Sequence, residues 1–230
     1  RAELVGTILG ANAHVTLYRS GEVNPLGGVD RTIAEYDAMA KRVAAVPGVT
    51  RVAPLVRGQV LVTARGQSSG ADVYGIKPED LVTLPGIAAA ENSFGDITRF
   101  GEGIALGSGL ARQIGARVGD RVRVTSPDGL KTAMGTSPRV NAYDVVYIFT
   151  AGRYDIDRTR LYLPFAEAQT FFNREGVADE LEVMVDAPER VDALTLDLLQ
   201  AGGERTVIWT WKDASGGFLR ALEVEDNVMF

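Results

Sequence analysis

The chain has 230 residues, no cysteine, one histidine, and 30 acidic against 24 basic residues, a formal charge of −6. Disulfide frameworks, Cys-ligated zinc, thiol nucleophiles and iron–sulfur clusters are excluded, and His14 alone cannot make a multi-histidine metal site. The acidic balance argues against nucleic-acid binding, which needs Lys and Arg to neutralise phosphates, while 46% hydrophobic and 23% charged residues describe a folded chain of one large or two small domains.

Residues Ala2–Leu9 carry Leu4, Val5, Ile8 and Leu9 at helical spacing. Ala13–Tyr18 alternates as a strand, and Gly21–Gly28 is a loop. Asp30 is placed as the N-cap of a helix with Ile33, Tyr36, Ala40 and Val43 on one face, stopped by Pro47-Gly48. Val49–Val62 reads as one or two strands, with Pro54 at a bend or edge. Ala71–Ile76 is a strand leading to a turn or short helix at Lys77–Asp80. Gly103–Gly107 is a strand, and Ser108 caps a short helix through Leu110, Ala111 and Ile114. Val118-Gly-Asp120 turns into the strand Arg121–Thr125, and Tyr143–Thr150 is the next strand. The intervening Ser126–Ala142 is too long for a tight hairpin turn. Arg160–Pro164 is a strand, followed by an amphipathic helix with Phe165, Ala168, Phe171 and Phe172. Glu180–Asp186 alternates, Pro188 opens a helix through Val191, Leu194 and Leu198, Gly202-Gly203 ends it, and Thr206–Trp211 is a strand. Ser215–Phe230 is helical in pattern, with Phe218, Leu222, Glu225 and Met229 near one stripe, a face only partly apolar.

The class is therefore α+β. Strand–helix–strand units at both ends make one ferredoxin-like sandwich, and the mainly-β middle is an inserted lobe with a long protruding hairpin. The boundaries fall at 1–65 and 166–230 for the two parts of the first lobe and at 66–165 for the insertion, with the hairpin at about 121–150. The longest apolar run, Val145–Phe149, is far short of the roughly 20 residues that span a bilayer. A start at Arg1 and helical patterns at both ends lead us to expect a piece of a larger protein, without a signal peptide, cut out between membrane spans. Absence of cysteine is compatible with an oxidising compartment.

Enzyme signatures are scarce. Gly107-Ser-Gly109 lacks the spacing of a nucleophile elbow, and a Ser–His–Asp triad would have to use His14 from within a strand. A free-standing hydrolase would have to rest on Ser108 or an acidic pair. Asp155-Ile-Asp157 and Glu223-Val-Glu-Asp226 are read as a weak cation site or, more simply, as solvated faces. No residue is assigned to catalysis, a metal or a cofactor. The segment Ser126–Ala142 holds more interest. Pro127 and Pro138 stiffen it, Met134 is an adaptable contact residue, and Arg123, Lys131 and Arg139 make it locally basic in an acidic chain. Those features suit docking to a partner, and they equally suit a solvent loop.

The run Ile104-Ala-Leu-Gly-Ser-Gly-Leu-Ala-Arg-Gln-Ile-Gly-Ala-Arg-Val-Gly-Asp-Arg-Val-Arg-Val124 resembles a segment of the extracytoplasmic domains of MacB-like ABC-transporter permeases. Asn24-Pro25, Val49–Pro54, Gly75-Ile76, the long hairpin and Gly217–Met229 extend the resemblance nearly end to end, and point to the permease subunits of the lipoprotein-releasing transporter, the LolC/LolE type. This resemblance implies a ferredoxin-like porter lobe with an inserted sabre lobe. It implies no catalysis in the domain and no cofactor, with ATP hydrolysed in a separate cytoplasmic subunit. It places the domain on the periplasmic face of the bacterial inner membrane, as part of a multi-pass protein. The implied partners are a periplasmic lipoprotein chaperone of the LolA type, lipoprotein substrates, a second permease subunit and the ATPase. In that family the hairpin is a hook that captures the chaperone. Met134, Gly135 and Pro138 match its tip sequence, and Arg123 and Arg139 lie at its base, so these five residues are the implied partner-binding set. Ala133 replaces the family's first proline, and Val140-Asn141 replaces a Gln-Arg pair. The alternative assignment is a motion-relaying domain of another MacB-like permease, acting on an efflux adaptor or a cell-wall hydrolase.

Overall fold

The computed structural model describes residues 9, 11–89 and 91–214. The expected helices at Ala2–Leu9 (Leu9 excepted) and Ser215–Phe230 lie outside the described residues, as do Glu223–Asp226 and Gly217–Met229. In chain order the strands are β1 (Val15–Arg19), β2 (Glu22–Val23), β3 (Val29–Asp30), β4 (Val49–Ala64), β5 (Gln67–Ile76) and β6 (Phe94–Gly95). They continue as β7 (Ile104–Gly107), β8 (Arg121–Thr132), β9 (Gly135–Phe149), β10 (Arg160–Pro164), β11 (Glu180–Val185) and β12 (Thr206–Thr210). The chain forms two compact units, Arg1–Val52 with Leu181–Phe230, and Ala53–Glu180. It passes from the first to the second inside β4, which runs as one strand through Pro54.

In the first unit β1 pairs antiparallel with both β11 and β12. Strand alternation buries Val15 and Leu17 against Leu181 and Val183, and the helices Tyr36–Ala44 and Thr195–Gly202 supply Met39, Val43 and Leu198 to the same core. Arg19 closes the end of β1. Its guanidinium donates to the Gly202 carbonyl (2.7 Å) and the Glu204 carbonyl (3.0 Å), holding the C-terminus of the second helix, and it pairs with Glu35 at 2.5 Å. His14 accepts the Val185 N–H on Nδ1 at 2.9 Å, and burial pushes its imidazole pKa below the usual 6.5. It is a structural group.

Several local expectations are corrected. The helix expected to follow Asp30 starts at Tyr36 with Glu35 in the N-cap position. The Asp30 carboxylate instead accepts the Thr32 N–H (2.8 Å) and hydroxyl (2.7 Å), the short-range bonding by which Asp favours turns. The segment 21–28 supplies β2 and the turn of a two-stranded ribbon with β3, and the Asn24 side chain holds that turn. Pro188 opens a 3₁₀ segment, Pro188–Leu194, before the α-helix begins at Thr195, because Arg190 departs from helical angles.

The second unit is built on the β4–β5 hairpin, with β10 parallel to β5, β7 antiparallel to β10, β9 parallel to β7, and β6 antiparallel to β9. β8 joins β4 to β9. β7 is buried on both faces, which explains its continuous apolar run. Ser108 is the first residue of the helix Ser108–Ile114 rather than its cap, since Gly107 holds the cap position and Ser108 Oγ accepts from the Thr150 hydroxyl at 2.9 Å. The flanking glycines are required by packing. A Cβ at Gly107 would lie 2.3 Å from the Asp157 carbonyl, and one at Gly109 would lie 3.0 Å from it. Asp155 and Asp157 lie on a helix, Tyr154–Thr159, not on a strand, so they diverge. Asp157 accepts the Ala151 and Gly152 N–H groups at 2.6 and 3.1 Å, and Asp155 pairs with Arg153. Most of the connection Ser126–Ala142 is strand, so the first strand of the hairpin runs well past Thr125 and the second begins well before Tyr143.

Candidate partner-binding hairpin

β8 and β9 pair antiparallel from Arg121–Asp144 out to Thr132–Gly135, leaving a two-residue turn, Ala133-Met134. Gly135 takes φ +117°, a conformation that a side chain resists, and the Thr132 hydroxyl donates to its carbonyl at 2.7 Å. The register shifts between Ser126 and Leu130, where Pro127-Asp-Gly129 opposes Pro138 alone. This bulge is why the segment does not read as a strand. It also suits Pro138, which has no N–H to give and here occupies an unpaired position. Gly129 is needed at the bulge, since a Cβ there would meet the Arg139 Cβ at 2.0 Å and the Arg139 nitrogen at 2.7 Å.

The two faces of the hairpin differ. Thr63, Arg123 and Ala142 are paired in one row, and Leu61, Thr125 and Val140 in the next, so these six side chains share a face. Leu61 is 46% exposed and Val140 50% exposed, with Thr125 between them, and Arg123 stands in solvent in the neighbouring row. Among the described residues the Arg123 guanidinium makes no hydrogen bond or ion pair, while its neighbours Arg65 and Arg121 are paired with Asp120 and Asp144.

Arg139, Asn141 and Tyr143 point to the other face, toward the helix Phe165–Phe171. The Arg139 guanidinium donates to the carbonyls of Thr170 and Phe171 and to Asn173 Oδ1 (3.1 Å), satisfying the last carbonyls of that helix with a positive charge at its negative end. Asn173 Nδ2 in turn donates to the Gly129 carbonyl at 2.6 Å. Tyr143 donates to Glu167 at 2.6 Å and accepts from Asn141 at 3.1 Å, and its ring meets Phe171 edge-on. Burial, then the bond to Glu167, pushes the Tyr143 hydroxyl far above its usual pKa, so it stays a neutral donor.

The sequence-grouped residues therefore separate into three sets. Met134, fully exposed, and Gly135 form the tip with exposed Pro138 below it. Arg123 stands on the open face, and Arg139 is an anchor on the closed face. The Lys131 side chain lies outside the described residues. Leu61 escaped the sequence reading, because Val60-Leu-Val62 looks like a run buried on both sides; only the register shows Leu61 facing out in the same row as Thr125 and Val140. Among the described residues no group of three or more His, Asp or Glu is placed to hold a metal ion, and no helix is long and apolar enough to cross a membrane.

The family model described as the MacB-like periplasmic core domain matches residues 3–201. The chain belongs to that family. It is 27% identical over 209 residues to the "Lipoprotein-releasing system transmembrane protein LolC" of Neisseria meningitidis, covering 89% of this chain and 50% of that protein. It is 25% identical over 204 residues to the corresponding LolE protein of Haemophilus influenzae, covering 86% of this chain and 48% of that one. The chain thus spans about half the length of these relatives. Its fold is mixed α/β and similar to that of the periplasmic region of MacB from Actinobacillus actinomycetemcomitans (TM-score 0.55, 11% identity, 93% of this chain and 95% of that one). The extracellular domain of the Gram-positive transporter YknZ is a second neighbour, with a TM-score of 0.54 and 11% identity over 85% of this chain and 99% of that one.

Proposed function

We propose that this chain is the periplasmic domain of an ABC transporter that releases lipoproteins from the bacterial inner membrane, and that its β8–β9 hairpin docks a periplasmic lipoprotein chaperone of the LolA type. In this reading the unit holding the chain ends is the ferredoxin-like porter lobe and the inserted unit is the sabre lobe. The domain does no chemistry. It relays motion from an ATPase on the cytoplasmic side, working with a second permease subunit. Lipid anchors are costly to expose, at about 0.8 kcal/mol per CH₂, so a release machine gains by docking the acceptor before extraction.

The observation that carries the reading is the contrast along the hairpin. Its base is tied to a helix by Arg139, Tyr143 and Asn173, while its tip presents Met134 to solvent with no intramolecular packing. A fully exposed Met on a braced turn has no role in stability and suits an apolar pocket on a partner. Arg123, one row from the exposed Leu61 and Val140 on the same face, gives a second contact area on the open face. Calorimetric titration of the chain with the chaperone tests this, with Met134→Glu as the variant. Binding that is lost while the melting curve is kept supports the reading, and unchanged affinity removes Met134 from the contact.

A second reading is a motion-relaying domain of another MacB-like permease, acting on an efflux adaptor or a cell-wall hydrolase. Ala133 in place of the hook's first proline and Val140-Asn141 in place of Gln-Arg favour it. Co-purification from an envelope extract separates the two by the partner recovered.

A further inference from the structure

The second unit carries another surface, distinct in shape and charge from the hairpin. Among the described residues β6 is the last strand in its sheet and pairs only with β9, Phe94 opposite Ile148 and Gly95 opposite Tyr147. Among the described residues no strand lies along its outer edge. Between β6 and the helix Ser108–Ile114 opens a groove of about 450 Å³. Its floor is Ala111, Ala116 and Ile148, all buried, and its walls are Phe94 (65% exposed) and Val118 (39% exposed). Arg112 and Arg117 stand exposed at its rim. Among the described residues neither guanidinium makes a hydrogen bond or a salt bridge. The nearby carboxylate of Asp120 is already engaged by the Arg65 guanidinium and by the Arg117 backbone N–H.

An exposed aromatic ring beside a concave apolar floor leaves surface that a partner side chain can cover. Two unpaired guanidiniums at the rim select carboxylates, which they bind in planar, two-pronged geometry. An unpaired strand edge offers main-chain groups that only another peptide can match. We propose that this groove docks an extended acidic segment of a partner protein. An apolar anchor side chain fills the groove, the segment's backbone runs beside β6, and its carboxylates meet Arg112 and Arg117. The site is separate from the hairpin tip. Ile148 and Gly135 are 13 positions apart on β9, a span of roughly 40 Å at the rise of a strand, so one partner can hold the tip while another segment occupies the groove.

The test is selection from a displayed random octapeptide library on the 230-residue chain, with parallel selection on R112E/R117E. The expected clones carry at least two acidic residues around a Phe, Leu or Ile and are enriched only on the unmodified chain. A fluorescein-labelled copy of such a clone should lose at least tenfold in affinity on R112E/R117E and at least fivefold on Phe94→Ser, with unchanged melting curves. Arg112→Gln, which removes one charge without reversing it, should give an intermediate loss. No enriched clone, clones without acidic residues, or equal binding to R112E/R117E would overturn the proposal. So would a result in which the same substitutions abolish binding only to phosphatidylglycerol vesicles, since the groove would then serve a lipid.

Discussion

Arg139 offers the sharpest test of how the hairpin is held. Replacing it with Ala removes three hydrogen bonds, to the Thr170 and Phe171 carbonyls and to Asn173 Oδ1. Bonds from a charged donor contribute about 1.5–3 kcal/mol each when buried. Arg139 is only partly buried, and water replaces much of what is lost, so the whole anchor contributes about 2 kcal/mol. That figure corresponds to a roughly 30-fold change in the opening equilibrium, at 1.36 kcal/mol per decade. Hydrogen exchange followed by mass spectrometry reads it directly. Amides of β9 between Gly135 and Tyr143 should lose about 30-fold in protection, while those of β1 and β12 in the other unit keep theirs. Arg139→Lys should recover less than half, because a point charge cannot reach three acceptors at once. A change below threefold, or one spread evenly over the chain, would refute the anchor. Loss of chaperone binding with unchanged exchange would instead place Arg139 in the contact itself.

Two further perturbations follow from the geometry. Gly129→Ala puts a Cβ 2.0 Å from the Arg139 Cβ, which neither backbone can absorb; about 2 kcal/mol of overpacking should lower the melting temperature by about 4–8 °C, whereas Gly70→Ala, with open space around it, should leave it within a degree or two. His14 is the single histidine, and its folded pKa is depressed. The neutral imidazole is therefore the form that the fold favours, and its contribution is present above the unfolded value of about 6.5 and lost as pH falls below it. Urea midpoints should drop between pH 7 and pH 5.5, and His14→Gln should flatten that slope; an unchanged slope would mean that the Val185 bond does not depend on protonation.

Much of the architecture is readable in the sequence because its elements follow simple periodicities. Val15 and Leu17 alternate with Thr16 and Tyr18, and Leu181 and Val183 face them at the same period. What escapes are features set by register rather than by pattern. Ser126–Ala142 is rich in Gly and Pro, so no strand periodicity shows within the expected hairpin, yet Gly129 and Pro138 are confined to one bulge while the residues on either side pair. The same bulge decides that Arg139 faces the helix end and Arg123 faces solvent, a division invisible in a count of basic residues. The caps fail for a related reason. Asp30 and Ser108 are good capping types, but the first is drawn into a turn with Thr32 and the second sits one position inside its helix beside a glycine that packing requires.

The central claim is that the exposed tip of the hairpin is a docking element. Calorimetric titration of a LolA-type chaperone into this chain and into Met134→Glu tests it most directly. Burial of one Met side chain is worth about 1.5–3 kcal/mol, so the substitution should weaken binding at least tenfold while the melting curve stays in place. Equal affinities for the two chains, or no binding by either, would contradict the account.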